Sequence, residues 1–293
     1  MAENAGAHVD IVDSQIHMGP GRIAETLAAM DALGIRGALI DEYWTGHNPG
    51  DPGYHVPVNA FRPVQPTAEL AALLHPQRFS YLVRLDRQDR ELACVIRMAR
   101  DAPHARALRV TPGMTAAESA AFAADAYDEV CTRACDAGLP LFVFAPGNVQ
   151  GIMQYARRYS ALRIIVDHCG LLSNLMRNAI GITQTMSHSM QLTAYEEVLA
   201  LADFPNVALK WAHAPAMFEV PGWPGEALWP ILRRTLDRFG RDRIMWASDA
   251  TMNQTGESWA QLLFAMMSNT DLSAPERDAL LGGTARAWLR WPP

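Results

Sequence analysis

Eight short apolar runs recur along the chain, each followed by a segment of helical spacing or by a polar loop, and this alternation limits the fold more than any other feature. The runs are HVDIVD (8–13), RGALI (36–40), FSYLVRL (79–85), ARALRV (105–110), PLFVFA (140–145), LRIIVDH (162–168), VALKWA (207–212) and RIMWASD (243–249). Helical patterns between or after them include 23–34, 91–102, 118–138 and 228–240. The runs are almost continuously apolar, which suits a parallel sheet covered by helices and not a half-exposed antiparallel one. Eight such units predict an α/β fold, a single (β/α)8 TIM barrel over residues 9–291. An open doubly wound sheet is the competing reading, but no Gly-x-Gly-x-x-Gly follows any run.

Composition narrows the function classes. With 293 residues, 49% of them hydrophobic, the chain can bury one large core. A net charge of −6 and the absence of long basic runs argue against nucleic acid or an anionic membrane as partner. The opening MAENAGAH has no positive n-region and no apolar h-region, so no signal peptide is expected. No apolar stretch reaches the roughly 18–20 residues of a membrane span. The four cysteines, Cys94, Cys131, Cys135 and Cys169, form no C-x-x-C pair, and Cys131 and Cys135 share one helical face. A cytoplasmic protein with reduced thiols is expected.

In a barrel of this kind, function gathers at the C-terminal ends of the strands. The polar residues there are Gln15 and His17 on strand 1, Asp41 or Glu42 on strand 2, Arg84 on strand 3 and Arg109 on strand 4. Strand 6 ends in His168, strand 7 in Lys210 or His213, and strand 8 in Asp249. Gln15 and His17 sit two apart and share one face. Strand 5 ends in Phe144, before a Pro-Gly turn. Arg84 and Arg109 suit bidentate binding of a substrate carboxylate, or ion pairing with Asp41, Glu42 or Asp86. Glu42, Tyr43 and Trp44 open a loop (41–66) rich in Gly, Pro and aromatics that lines the pocket or forms a surface Ω-loop. The Met-rich segment 171–191 is a lid or a subunit contact, so a homo-oligomer stays open. No Gly-x-Ser-x-Gly elbow occurs, and Cys169 faces away from its neighbour His168, so nucleophilic catalysis is not expected.

The phrases DSQIH at strand 1, IIVDHCG at strand 6, PNVALKW at strand 7 and FGRDRIMWASD at strand 8 resemble the amidohydrolase-related group of the amidohydrolase superfamily, over about Val9 to Trp291. That group contains metal-dependent hydrolases, decarboxylases and lactonases acting on small aromatic or dicarboxylic compounds. The resemblance implies a metal held by a His-x-His on strand 1, a His on strand 5, a His on strand 6 and an Asp on strand 8. His17, His168 and Asp249 match. Gln15 replaces the first His, and Phe144 stands where the strand 5 His belongs.

With two of five ligands absent, a metal-free site is the expectation, and a divalent ion such as Zn2+ on His17, His168 and Asp249 the alternative. The reading is a hydrolase of a small carboxylated lactone or ester. Asp249 acts as base, and His17, His168 and Gln15 act as donors to the substrate carbonyl. Arg84, Arg109, Glu42, Trp44, Lys210 and His213 are the candidates for binding substrate. A metal-dependent decarboxylase on the same scaffold and a catalytically inactive barrel that binds a small molecule are the rivals.

Overall fold

The computed structural model describes residues 9–42, 52–57, 60–252 and 256–293. Its strands in chain order are β1 (Ile11–Ile16), β2 (Ile35–Ile40), β3 (Gly53–Val56), β4 (Ala60–Pro63), β5 (Phe79–Arg84), β6 (Ala105–Val110), β7 (Leu141–Val143), β8 (Ile164–Val166), β9 (Val207–Ala212) and β10 (Ile244–Ala247). β3 and β4 form an antiparallel hairpin inside the 41–66 segment. The other eight follow one another in parallel order around a nearly closed ring, as expected for a (β/α)8 barrel. Among the described residues no helix is long and apolar enough to cross a membrane.

Helices cover the outside because their apolar positions recur on one face. Helix Leu92–Asp101 buries Leu92, Ile96 and Ala99, and helix Trp229–Phe239 buries Ile231, Leu232, Thr235, Leu236 and Phe239. The single helix expected over 118–138 is instead two, Ala116–Ala123 and Asp128–Ala137, broken near Asp125 at φ 61°. Packing overrides helix propensity here. The Phe122, Tyr127 and Tyr155 rings cluster at centroid distances of 4.7 and 5.3 Å, and the Tyr155 hydroxyl accepts the Tyr127 N–H.

Inside the ring, side chains alternate with period two and stack in layers. The floor layer takes one residue from each strand: Val12, Leu39, Leu82, Ala107, Phe142, Ile165, Ala208 and Met245. Ala285, Trp288, Leu289 and Trp291 plug it from below. The turn leading to them passes so close to β1 that a Cβ on Gly282 would stand 1.8 Å from the Asp10 carbonyl oxygen, so only glycine fits.

β1 and β10 close the ring largely through side chains. Ser14 Oγ donates to the Trp246 carbonyl at 2.7 Å, and the Ser248 N–H and hydroxyl both donate to the Asp13 carboxylate. Trp259 Nε1 adds a third donor to Asp13 at 2.8 Å, and Asp249 N–H reaches the Gln15 carbonyl at 3.1 Å. β1 therefore begins and ends three residues later than the sequence suggests. Asp13 and Ser14, which read as strand-ending letters, are buried strand residues satisfied across this seam.

Candidate active site

Two residues above the floor, toward the C-terminal mouth, the same alternation brings in Asp41, Arg84, Arg109, Phe144, Asp167 and Lys210. Five of these carry charge and form a ladder of alternating sign. Arg84 holds Asp41 with two hydrogen bonds at 2.6 and 3.0 Å. Arg109 bridges Asp41 and, at 2.8 Å, Asp167, whose second oxygen meets Lys210. Burial opposes the charge on Asp167, but Arg109 and Lys210 hold its carboxyl down to about 2. Burial lowers the Lys210 ammonium, while Asp167 pulls it back up. The ion-pair reading of Arg84 and Arg109 is thus realised, with Asp41 as the shared partner.

Above the ladder, four side chains converge on Asp249. His17 Nε2 lies 2.9 Å from Oδ1, while His168 Nε2, His213 Nε2 and Gln15 Nε2 lie 3.1, 3.0 and 3.0 Å from Oδ2. His168, His213 and Asp249 each take a left-handed backbone, with φ of 52°, 50° and 50°, at or just beyond the ends of β8, β9 and β10. That conformation costs roughly 1–2 kcal/mol per non-glycine residue, and strain of this kind collects where function requires it. Here it turns three side chains from the strand direction onto one point.

Burial disfavours charge on two of the imidazoles. Burial pushes His168 down to about 4 and lowers His17 against the pull of Asp249. Burial would raise Asp249, but His17 and His213 facing it, with hydrogen bonds from His168 and His17, hold it well below the usual carboxylate range. The result is an ionised carboxylate beside His17 and His168, whose charged forms burial disfavours. His17 Nδ1 donates to the Asp41 carbonyl at 2.7 Å, which fixes the ring with Nε2 toward Asp249.

The donor set fits a divalent cation. The ligating atoms of His168, His213 and Asp249 lie within 4.8 Å of one another, and all three residues are buried. Edges of about 3.3 Å are expected around a tetrahedral zinc with bonds near 2.0–2.1 Å. His213 Nε2 and Asp249 Oδ1 are buried without a hydrogen bond although other polar atoms stand about 3 Å away. Acceptors crowded in this way suit a shared cation. The metal alternative is therefore favoured over none, and a group able to hold the ion is His168, His213 and Asp249.

Other sequence candidates lie elsewhere. Glu42 does not reach the cluster: its carboxylate accepts the Thr67 and Ala68 N–H groups at the start of helix Pro66–Leu74, where a negative charge is stabilised by the helix dipole. Lys210 is fully buried beneath the cluster and meets Asp167 and Gln15. Trp44 lies outside the described residues. Phe144 packs its ring edge-on to His168 at 5.3 Å. Asp167 was not among the candidates, although period two from Ile165 points to it. Beside Arg84 and Arg109 opens a cleft of about 570 Å³, also lined by Phe61, Arg87, Thr111 and Tyr127.

The family model described as Amidohydrolase matches residues 12–291. No curated protein matches the sequence. Among solved structures, an amidohydrolase from Burkholderia multivorans with bound zinc superposes with a TM-score of 0.73 at 18% identity, covering 97% of this chain and 100% of that one. A Pseudomonas putida protein assigned as a 2-pyrone-4,6-dicarboxylic acid hydrolase gives 0.63 at 19% identity, covering 98% and 99%. The 5-carboxyvanillate decarboxylase of Novosphingobium aromaticivorans, complexed with manganese and a nitrobenzoic acid, gives 0.60 at 16%, covering 97% of each chain. At these identities the structures speak for the fold alone, whereas the family match runs through every strand of the barrel: the chain belongs to the amidohydrolase family.

Proposed function

We propose that the protein is a hydrolase that opens a small carboxylated lactone or ester at the mouth of the barrel, with a divalent ion such as zinc held by His168, His213 and Asp249. The observation that carries this reading is the convergence of three imidazoles and an amide on one buried, ionised carboxylate. The zinc of the Burkholderia relative and the manganese of the decarboxylase support the metal. The dicarboxylate named for the Pseudomonas relative supports the substrate class.

A bound ion of this kind polarises a carbonyl and lowers the pKa of a bound water. The chain's own residues supply the rest. Asp249, ionised at neutral pH, takes the proton of the attacking water and passes it to the leaving oxygen. Gln15 contributes a fixed N–H beside that carboxylate. His17, fixed through Nδ1 on the Asp41 carbonyl, and His168 flank the same carboxylate as the further donors. Phe144 closes one side against water. Arg84 and Arg109 line the cleft with their guanidinium groups, sharing Asp41 between them, and receive the substrate carboxylate there.

The test combines metal analysis with a substrate panel. The expected result is stoichiometric zinc or manganese, lactone or ester hydrolysis lost on chelation, and recovery on adding metal back. Full activity in metal-free protein would restore the metal-free reading. Release of CO2 from aromatic carboxylates without lactone opening would make the protein a decarboxylase, the second reading, which the manganese-bound decarboxylase relative favours. Ligand binding without turnover of any panel member would leave an inactive binding barrel.

A further inference from the structure

Gln15 occupies the place on strand 1 where the resemblance puts a metal ligand, and its amide could face the cluster either way round. Three contacts fix it. Lys210 Nζ, which only donates, meets Oε1. Asp249 Oδ2 accepts from Nε2 at 3.0 Å. His17 Nε2 stands 3.1 Å from the same nitrogen. Turning the amide over would set its NH2 against the Lys210 ammonium and its oxygen against the Asp249 carboxylate.

We propose that Lys210 is a positioning residue: by anchoring Gln15 Oε1 it keeps the amide N–H on Asp249, and so holds the Gln15 oxygen out of the ligand set of the metal centre. An oxygen held by Lys210 cannot turn toward a cation. The group left to hold an ion is His168, His213 and Asp249. Such a set leaves a coordination position open for water or substrate, as catalytic zinc sites require. Lys210 is suited to the task because it is fully buried, paired with Asp167 and seated over the Phe142 ring at 5.1 Å. The inference rests on the metal reading for its consequence but not for the lock itself.

The test replaces Lys210 and Asp167 together, as Lys210→Met/Asp167→Asn, so that no unpaired charge is left buried. In the metal-free protein with 15N-labelled glutamine, the Gln15 side-chain NH2, identified by its absence in Gln15→Leu, should be protected from solvent exchange. In the double variant that protection should be lost. Unchanged protection overturns the lock whether or not a metal binds. With Co2+ as probe, the native protein should show the intense visible bands of a four-coordinate site. The double variant should show weaker bands of higher coordination and bind Zn2+ about tenfold more tightly, the scale on which supporting residues tune such sites. Adding Gln15→Leu to the double variant should abolish most of that affinity gain; an equal gain without Gln15 would mean that Lys210 acts through its charge and would overturn the proposal. Failure of native protein to take up Zn2+ or Co2+ refutes the metal reading and leaves the exchange measurement to decide the lock. Should the double variant not fold, Gln15→Glu gives the same decision: with a carboxylate in place of the NH2, its second oxygen should turn into the cluster and raise Co2+ coordination, and unchanged bands would count against the lock.

Discussion

The two ends of the barrel interior are built on opposite rules. The floor is eight apolar side chains and a tryptophan plug, close-packed and free of charge. The mouth, two residues further along the same strands, is a charged ladder under a strained cluster of three histidines, a glutamine and an aspartate. Burying apolar area stabilises the floor by about 1.5–3 kcal/mol for each large side chain. The mouth buries ionised groups whose mutual attraction at best offsets the cost of leaving water. Stability therefore resides in one end and chemistry in the other, although both are equally hidden from solvent.

Substitutions at the two ends should separate these properties. Asp249→Asn should lower kcat by roughly 10²–10⁴-fold, the range for a general base, while the thermal midpoint stays level or rises. A large loss of stability there would break the contrast. Trp288→Ala should cost about 3–5 kcal/mol in urea unfolding and leave kcat per folded molecule unchanged. His213→Ala should weaken zinc binding by at least about 100-fold, the upper end of what the loss of a mere supporting residue costs, with little change in the unfolding midpoint of metal-free protein.

The smallest effect concerns the seam. Burial pushes Asp13 up to about 6, with four hydrogen bonds from Ser248, Gln15 and Trp259 restraining it. Its folded pKa lies above the unfolded one near 3.8, so the folded state binds more protons between these values. Stability from this group is present below about pH 4 and falls as pH rises through 6, by roughly 3 kcal/mol at most. Urea midpoints from pH 4 to 7 should show this slope, and Asp13→Asn should flatten it. Glu276, held down to about 2 mainly by its hydrogen bond from Arg233, has the opposite sign but is partly exposed to screening water and adds little.

The floor was legible in the sequence because period two and apolar runs specify it directly. The mouth was legible in part. Asp249, His17, His168 and Gln15 were found from strand ends, and all four meet. His213 was tied with Lys210 as the strand 7 group because alternation says which side a residue faces only while the strand lasts; it does not show that the chain turns left-handed at His213. Asp167 was passed over for the adjacent His168, whose chemistry is more conspicuous, although Asp167 alone keeps the inward register. Glu42 went to a helix start, a competition that no local pattern signals.

The seam between β1 and β10 gives the site a particular place in the life of the chain. Gln15 and His17 emerge first, His168 and His213 much later, and Asp249 some 230 positions after the first of them. Every bond that defines the centre crosses that gap or waits on a residue that does, so no shorter nascent chain can hold a partly working version. The contacts are about as non-local as this topology allows, which places them among the last to form. A ribosome-bound chain that has not yet released residue 249 has no pocket in which to bind an ion or a substrate. Capture of a metal thus becomes a report that the whole ring has closed.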